Sequence, residues 1–213
     1  MSFTIKFLKP EMKGSYDWQL IQEINVLNED SIVVAKAEIE LITLNKHRDA
    51  LKSYELIEAE EDGATDWELP LNLYFKGQNL TAKLCEELSI KPDIKKAKTH
   101  ILLDAISVLP NYQKQGIAKL LLKAIAEHYP KIQSLMVLTM PLSLFLDADA
   151  CELEASKIYY QQLDLQNDKT TREALSEFFQ HCGFIEYKVD ETLLNEPLAF
   201  DLFITTPDKL NGL

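Results

Sequence analysis

Apolar and polar positions alternate along the first part of the chain and then change period. Phe3–Leu8 is a short strand candidate. Trp18–Leu27 and Ile32–Leu44 are longer ones, and the polar turn Asn28-Glu-Asp-Ser31 between them predicts an antiparallel pair. In the second, Val33, Ala35, Ala37, Ile39 and Leu41 alternate with Lys36, Glu38 and Glu40, the period expected of a half-exposed strand. Asp49–Glu61 and Thr81–Ser89 predict helices, Gly63–Gln78 a loop around Pro70, and Lys91–Lys98 a polar connection. His100–Val108 then predicts a strand that Pro110 stops. Gly116 opens a helix in which Ile117, Leu120, Leu121, Ala124 and Ile125 recur at helical spacing, as far as Tyr129 and Pro130. Ser134–Met140 is expected to be a buried strand. Pro141–Thr171 is a long segment with a helix at Ala150–Leu163. A helix at Arg172–Cys182 and strands at Phe184–Val189 and Leu198–Thr205 complete the order. The pattern predicts a mixed α/β (α+β) layer fold, with helices on a twisted sheet.

The turn before Ile117 invites a chemical reading. A helix start presents free N–H groups and partial positive charge, and glycine lets a phosphate approach the backbone. A plain strand-to-helix turn is the competing reading. Gln113-x-x-Gly116-x-Ala118 resembles Gln/Arg-x-x-Gly-x-Gly/Ala, the coenzyme A pyrophosphate motif of the GNAT superfamily of N-acetyltransferases. About sixty residues on, Glu173-Ala-Leu-Ser-Glu-Phe-Phe-Gln-His-Cys-Gly183-Phe184 resembles the second signature of that family, a helix leading into Gly-Phe. Order and spacing of the two agree with the family.

Over roughly residues 98–206 the resemblance implies a twisted, mostly antiparallel sheet with a central V-shaped split, flanked by helices. The whole of residues 1–213 is expected to form a single domain, with residues 1–97 a divergent N-terminal half. The family usually sets its first helices between its first two strands, whereas here they come later. The implied co-substrate is acetyl-CoA, lying beside His100–Val108, with no metal. Backbone groups of Ile106 and Val108 would pair with its pantetheine arm. Gln113 and the amides of Lys114, Gln115, Gly116, Ile117 and Ala118 would hold its pyrophosphate. Gln113 stands where many members have Arg, and Lys114 and Ala118 where they often have Gly.

Direct transfer to an amine needs a base, an oxyanion stabiliser and a proton for the leaving thiolate. Asp104 is the candidate base. By strict alternation it shares a face with Leu102, Ile106 and Val108, an apolar setting that raises a carboxyl pKa. A structural Asp bonded to a neighbour is the alternative. The family often has a Glu on this strand, but the best-aligned position here is Leu102. His100, on the same face, is a second choice. Many relatives carry a Tyr acid four residues before the Gly of the second signature, where this chain has Phe179. Tyr159 and Tyr160 are substitute acids or a packed pair. Cys182 is a nucleophile only if something activates it. Asp147, Asp149, Glu152 and Glu154 form either a cation-holding patch or a solvated helix face.

Composition narrows the classes further. A length of 213 residues suits one sizeable core. A net charge of −12 argues against a general nucleic-acid binder and agrees with a cationic amine, or simply with a soluble surface. No apolar run is long enough for a membrane span, so no membrane partner is expected. Cys85, Cys151 and Cys182 are scattered, which predicts neither a disulfide framework nor a zinc site, and a cytoplasmic location follows from that. The expected partner is a small-molecule or peptide amine. A homodimer built on the N-terminal half is a further expectation. The competing function is a non-catalytic acyl-CoA-binding or protein-interaction module.

Overall fold

The computed structural model describes residues 2–60, 65–91, 96–144, 146, 154–165, 170–189, 198 and 200–213. Its strands are β1 (Thr4–Phe7), β2 (Glu11–Met12), β3 (Gln19–Leu27), β4 (Val33–Leu44), β5 (Phe75–Lys76), β6 (Asn79–Leu80), β7 (Lys98–Val108), β8 (Ser134–Thr139), β9 (Ile185–Tyr187) and β10 (Asp201–Thr205). Its helices are α1 (Ala50–Glu60), α2 (Glu68–Leu73), α3 (Ala82–Glu87), α4 (Ile117–His128), α5 (Glu154–Gln161), α6 (Arg172–His181) and α7 (Pro207–Leu210). One large sheet runs β1-β3-β4-β7-β8-β10-β9, with β2 beside β3, so both halves of the chain share it.

Every pairing in that sheet is antiparallel except β7 with β8. That parallel contact is short, running from His100 opposite Ser134 to Leu103 opposite Val137. Beyond it β7 stays with β4 as far as Val108, while β8 stays with β10 as far as Thr139. The two strands therefore part, and the sheet opens into a V. The mixed α/β class and the split agree with expectation.

Two apolar layers sandwich the sheet. Helices α4 and α6 cover one face, where Ile117, Leu121, Ile125 and Phe179 pack on Ile39, Ile101, Leu103 and Val137. On the other face Trp67, Leu71, Tyr74 and Leu84 pack on Ile42, Leu102, Met136 and Ile204. This second layer corrects two expectations. The Gly63–Gln78 region is not a plain loop, because it holds α2 and leads into the β5–β6 hairpin. Pro70 lies in the first turn of α2, where a missing N–H removes no helical bond. The polar face of β4 is not solvated either: Lys36 is 6 % and Glu40 2 % exposed. Their charges are under cover, each with a partner.

Among the described residues no helix is long and apolar enough to cross a membrane.

Candidate active site

The register of β4 on β7 shifts between Glu38 and Ile39: Glu38 lies opposite Ala105 and Ile39 opposite Leu103. Asp104 is the extra residue of a β-bulge, which leaves it without a partner on β4 and re-aims its side chain. The bulge also reverses the alternation. His100 and Leu102 face the layer with Trp67, whereas Ile106 and Val108 pack in the layer with α4. The expected shared face of Asp104, Leu102, Ile106 and Val108 is therefore corrected, since strict alternation fails at the bulge.

Main-chain directions follow from the same register. Gln133 N–H donates to the Thr99 carbonyl at 2.8 Å, which turns Thr99 toward β8, and Leu109 N–H donates to Val34 at 2.9 Å, which turns Leu109 toward β4. With the bulge counted, the N–H and C=O groups of Ile106 and Val108 point into the split. One of them already has a partner, because Gln113 Nε2 donates to the Val108 carbonyl at 3.2 Å.

The loop that follows is shaped for close approach. Lys114 and Gly116 both adopt the left-handed region, at φ +60° and +80°. Gly116 caps the twelve-residue helix α4, and a Cβ placed there would meet nothing within 4 Å. The first amides of α4 have no intrahelical partners and lie beside this open face. Gln113, Lys114, Gln115 and Gly116 are exposed and Ala118 is half-buried. The side chain of Ile117 is buried in the core, so only its main chain borders the turn.

Two clefts meet at the split. One lies between the diverging strands and is lined by Ile106, Val108, Gln113, Thr139, Leu175 and Phe179. The other lies toward α2 and is lined by Asp66, Leu102 and Phe200. Leu103, Asp104, Leu138 and Met140 border both. Asp104 thus stands at the junction. Its Oδ1 is buried without a hydrogen-bond partner. Burial first, then the charges of Glu40 and Asp66, push its pKa well above the carboxylate range; Lys13 opposes this and Glu38 adds to it.

The surrounding polar groups come from β3, β4 and the approach to α2. Glu40 accepts from Trp67 Nε1 at 2.9 Å and pairs with Lys13. Lys36 Nζ reaches Glu23 at 3.2 Å and Ser156 Oγ at 3.2 Å. Glu38 sits between them, its pKa raised by burial and by Glu23 and Glu40. None of these was singled out as a site residue from the sequence. The available signal was a strand carrying Lys36, Glu38 and Glu40 on one face, opposite Glu23 on its partner.

The other candidates divide. His100 is fully buried, with Nδ1 at 2.8 Å from Ser134 Oγ and its ring edge-on to Phe75. Burial pushes its pKa down to about 3, so it is a neutral structural group. The Tyr159 hydroxyl bonds to Ser107, at 2.9 Å from its Oγ and 3.2 Å from its carbonyl, and burial drives its pKa upward. Tyr160 packs edge-on against Tyr159 at 5.4 Å, with Lys36 lying over both rings. Neither Tyr lines either cleft. Phe179 is 2 % exposed, wedged against Phe178, Phe184 and Phe203 at the base of the split. Cys182 is buried, and burial raises its thiol pKa, the reverse of activation. Asp147, Asp149 and Glu152 lie outside the described residues, as does the side chain of Glu154 at the start of α5.

A sheet that opens at its one parallel pair, with a glycine-capped helix beyond the longer arm, defines a split-sheet α/β fold of the GNAT kind. Residues 82–186, just under half of the chain, match the family model described as acetyltransferase (GNAT) domain. The match spans α3 to β9 and takes in both signatures; it begins before the 98–206 segment marked out by the sequence and stops short of β10. No curated protein matches the chain. Among solved structures, a bacterial toxin is similar at 10% identity, with 90% of this chain and 70% of that chain covered and a TM-score of 0.42. NAA60 of Arabidopsis thaliana in complex with acetyl-CoA is similar at 12% identity over 86% and 73%, with a TM-score of 0.40. The polyamine N-acetyltransferase of Drosophila melanogaster is similar at 13% identity over 86% and 74%, with a TM-score of 0.38. Among the described residues no cluster of three or more His, Cys, Asp or Glu side chains could hold a metal ion.

Proposed function

We propose that the protein is an acyl-CoA-dependent N-acyltransferase that moves the acetyl group of acetyl-CoA directly to a primary amine within a ternary complex. The observation that carries this reading is Asp104 Oδ1, buried and without a hydrogen-bond partner where the two clefts meet.

The residues suit the co-substrate. Main-chain groups of Ile106 and Val108 on the split side of β7 suit an extended amide-bearing arm, which would take the Val108 carbonyl from Gln113. The turn from Gln113 to Ala118, with Gly116 open on one side, suits a pyrophosphate. Bound acetyl-CoA supplies the thioester carbonyl. An arriving ammonium favours the ionised form of Asp104, which takes one proton from it. The freed amine forms the C–N bond as the C–S bond breaks. The second nitrogen proton leaves with the thiolate as thiol, and Asp104 returns its own proton to solvent. N–H groups along the free edge of β7 are the available donors to the carbonyl oxygen.

Loss of a positioned base costs about 10²–10⁴-fold in rate. Asp104→Asn is therefore expected to lower acceptor-dependent thiol release by about that factor while acetyl-CoA still binds. Unchanged turnover would remove Asp104 from the chemistry. A second reading rests on Phe179, which has no proton to give: the protein binds acyl-CoA without transferring it. Robust acceptor-dependent thiol release with any amine rejects it.

A further inference from the structure

Past the parallel contact, little main-chain bonding holds the β8 side of the split. The last rung shared with β7 is Leu103 opposite Val137. Beyond it, among the described residues, β8 is laddered on one side only, through Leu138 opposite Leu202 and Thr139 opposite Asp201. Thr139–Asp201 is the end rung, and β9 pairs with β10 only from Leu202 onward. A strand end bonded along one edge opens readily. Yet this end walls the site. Thr139 lines the cleft between the diverging strands, Met140 borders both clefts, and Phe200 lines the one toward α2.

Side chains from the first turns of α6 fasten that end. Arg172 donates from Nη1 to the Leu198 carbonyl at 2.7 Å and from Nη2 to the Asp201 carboxylate. The other carboxylate oxygen accepts from Ser176 Oγ at 2.5 Å. The network continues to the cleft wall, because Thr139 Oγ1 lies 3.4 Å from Ser176 Oγ and accepts from the Asp201 N–H at 3.2 Å. It reaches the cleft at Thr139 and, beside Ser176, at Leu175. The guanidinium and carboxylate side chains are 38% and 22% exposed, and an ion pair so open to solvent adds little stability. A forked arginine contributes geometric precision beyond its energy. Asp201 also lies beyond residue 186, where the match to the family model ends, so the network fastens the matched segment to a strand outside it.

We propose that Arg172 and Asp201 are positioning residues for acyl-CoA: together they hold the β8–β10 side of the split at the width the pantetheine arm needs, acting through Thr139 and Leu175. Neither lines either cleft, so their influence on the co-substrate is indirect. The proposal rests on the acyl-CoA assignment of the acyltransferase reading and not on turnover. Without the clasp the wall shifts, and a misplacement of about 1 Å can cost about 10²-fold.

The test measures acetyl-CoA binding by calorimetry, and acceptor-dependent thiol release, well below the melting temperature of every variant. Arg172→Gln and the shape-conserving Asp201→Asn should each weaken acetyl-CoA binding about tenfold and lower kcat/KM for acetyl-CoA by a similar factor. The double variant should be no worse than either single one, because both changes break the same interaction. Arg172→Lys keeps the charge but loses the fork, and should recover part of the loss. Lower melting temperatures with wild-type binding and wild-type kcat/KM overturn the proposal and leave the acyltransferase reading intact, as does a double variant in which the two losses multiply. Acetyl-CoA binding without turnover, weakened in the same variants, upholds the positioning role and overturns the enzyme reading. No binding by the wild type overturns both.

Discussion

Asp104 and His100 are four positions apart on β7, and burial pushes their pKa values in opposite directions. For Asp104 the charged form is disfavoured, by burial and then by Glu40, Asp66 and Glu38, with Lys13 opposing. As a base it works only when ionised, so kcat/KM should rise with pH along a limb lying well above the ordinary carboxylate value of about 4. A limb at the ordinary value would contradict its burial. The same shift makes the residue a stability cost. A raised folded pKa contributes stability that is complete below the unfolded value and lost as pH climbs through the folded one. Asp104→Asn, which mimics the protonated form, should therefore melt higher than wild type at neutral pH while working worse. His100 shows the reverse sign. With its folded pKa down near 3 and an ordinary value of 6.5, stability present at neutral pH is lost as pH falls through that window. The slope is about 1.4 kcal/mol per pH unit. His100→Gln should flatten the fall in melting temperature between pH 6 and pH 4, and an unchanged slope would show that His100 is not the buried neutral group.

At the scale of elements, the turn into α4 does two separable things. Its left-handed Gly116 sets the chain direction, and its open side leaves the first helical amides accessible. Gly116→Ala meets no neighbour but forces an L-residue to φ +80°, a cost of about 1 kcal/mol. It should lower the melting temperature slightly and spare acetyl-CoA binding in large part. Gly116→Glu carries the same strain and adds a carboxylate where a pyrophosphate is expected, so acetyl-CoA should no longer bind. Calorimetry on the two variants separates strain from cradle, and equal binding by both would remove the turn from the cofactor site. The bulge in β7 is the other decisive element. It is not marked in His-Ile-Leu-Leu-Asp-Ala-Ile-Ser-Val, where Leu102 beside Leu103 and Ala105 beside Ile106 put apolar residues in both phases of a period of two. Which residue is extra depends on the partner strand, where Glu38 and Ile39 choose Ala105 and Leu103.

For the molecule as a whole, the split between β7 and β8 is a seam that a bound acyl-CoA would bridge. A ligand at a hundred times its dissociation constant stabilises by about 2.7 kcal/mol, which in a chain of this size is a rise of roughly 5–10 °C in melting temperature. A rise of that order with acetyl-CoA, absent with free acetate, is the expected outcome, and no rise would withdraw the cofactor assignment.

Local patterning alone set most of the framework. The long strands, the helices α1, α4 and α6, and the glycine turn all follow from spacing and from Gly and Pro positions, which act within a few residues of themselves. The two signatures were legible for the same reason. Tertiary structure decided the rest, because it depends on what meets across the fold. Burial of Lys36 and Glu40 depends on Trp67 and Ser156 arriving from elsewhere in the chain. The face of Ile106 depends on a bulge set by β4. The negative charge acting on Asp104 comes from Glu38, Glu40 and Asp66, on β4 and the approach to α2, and no single stretch of sequence contains it.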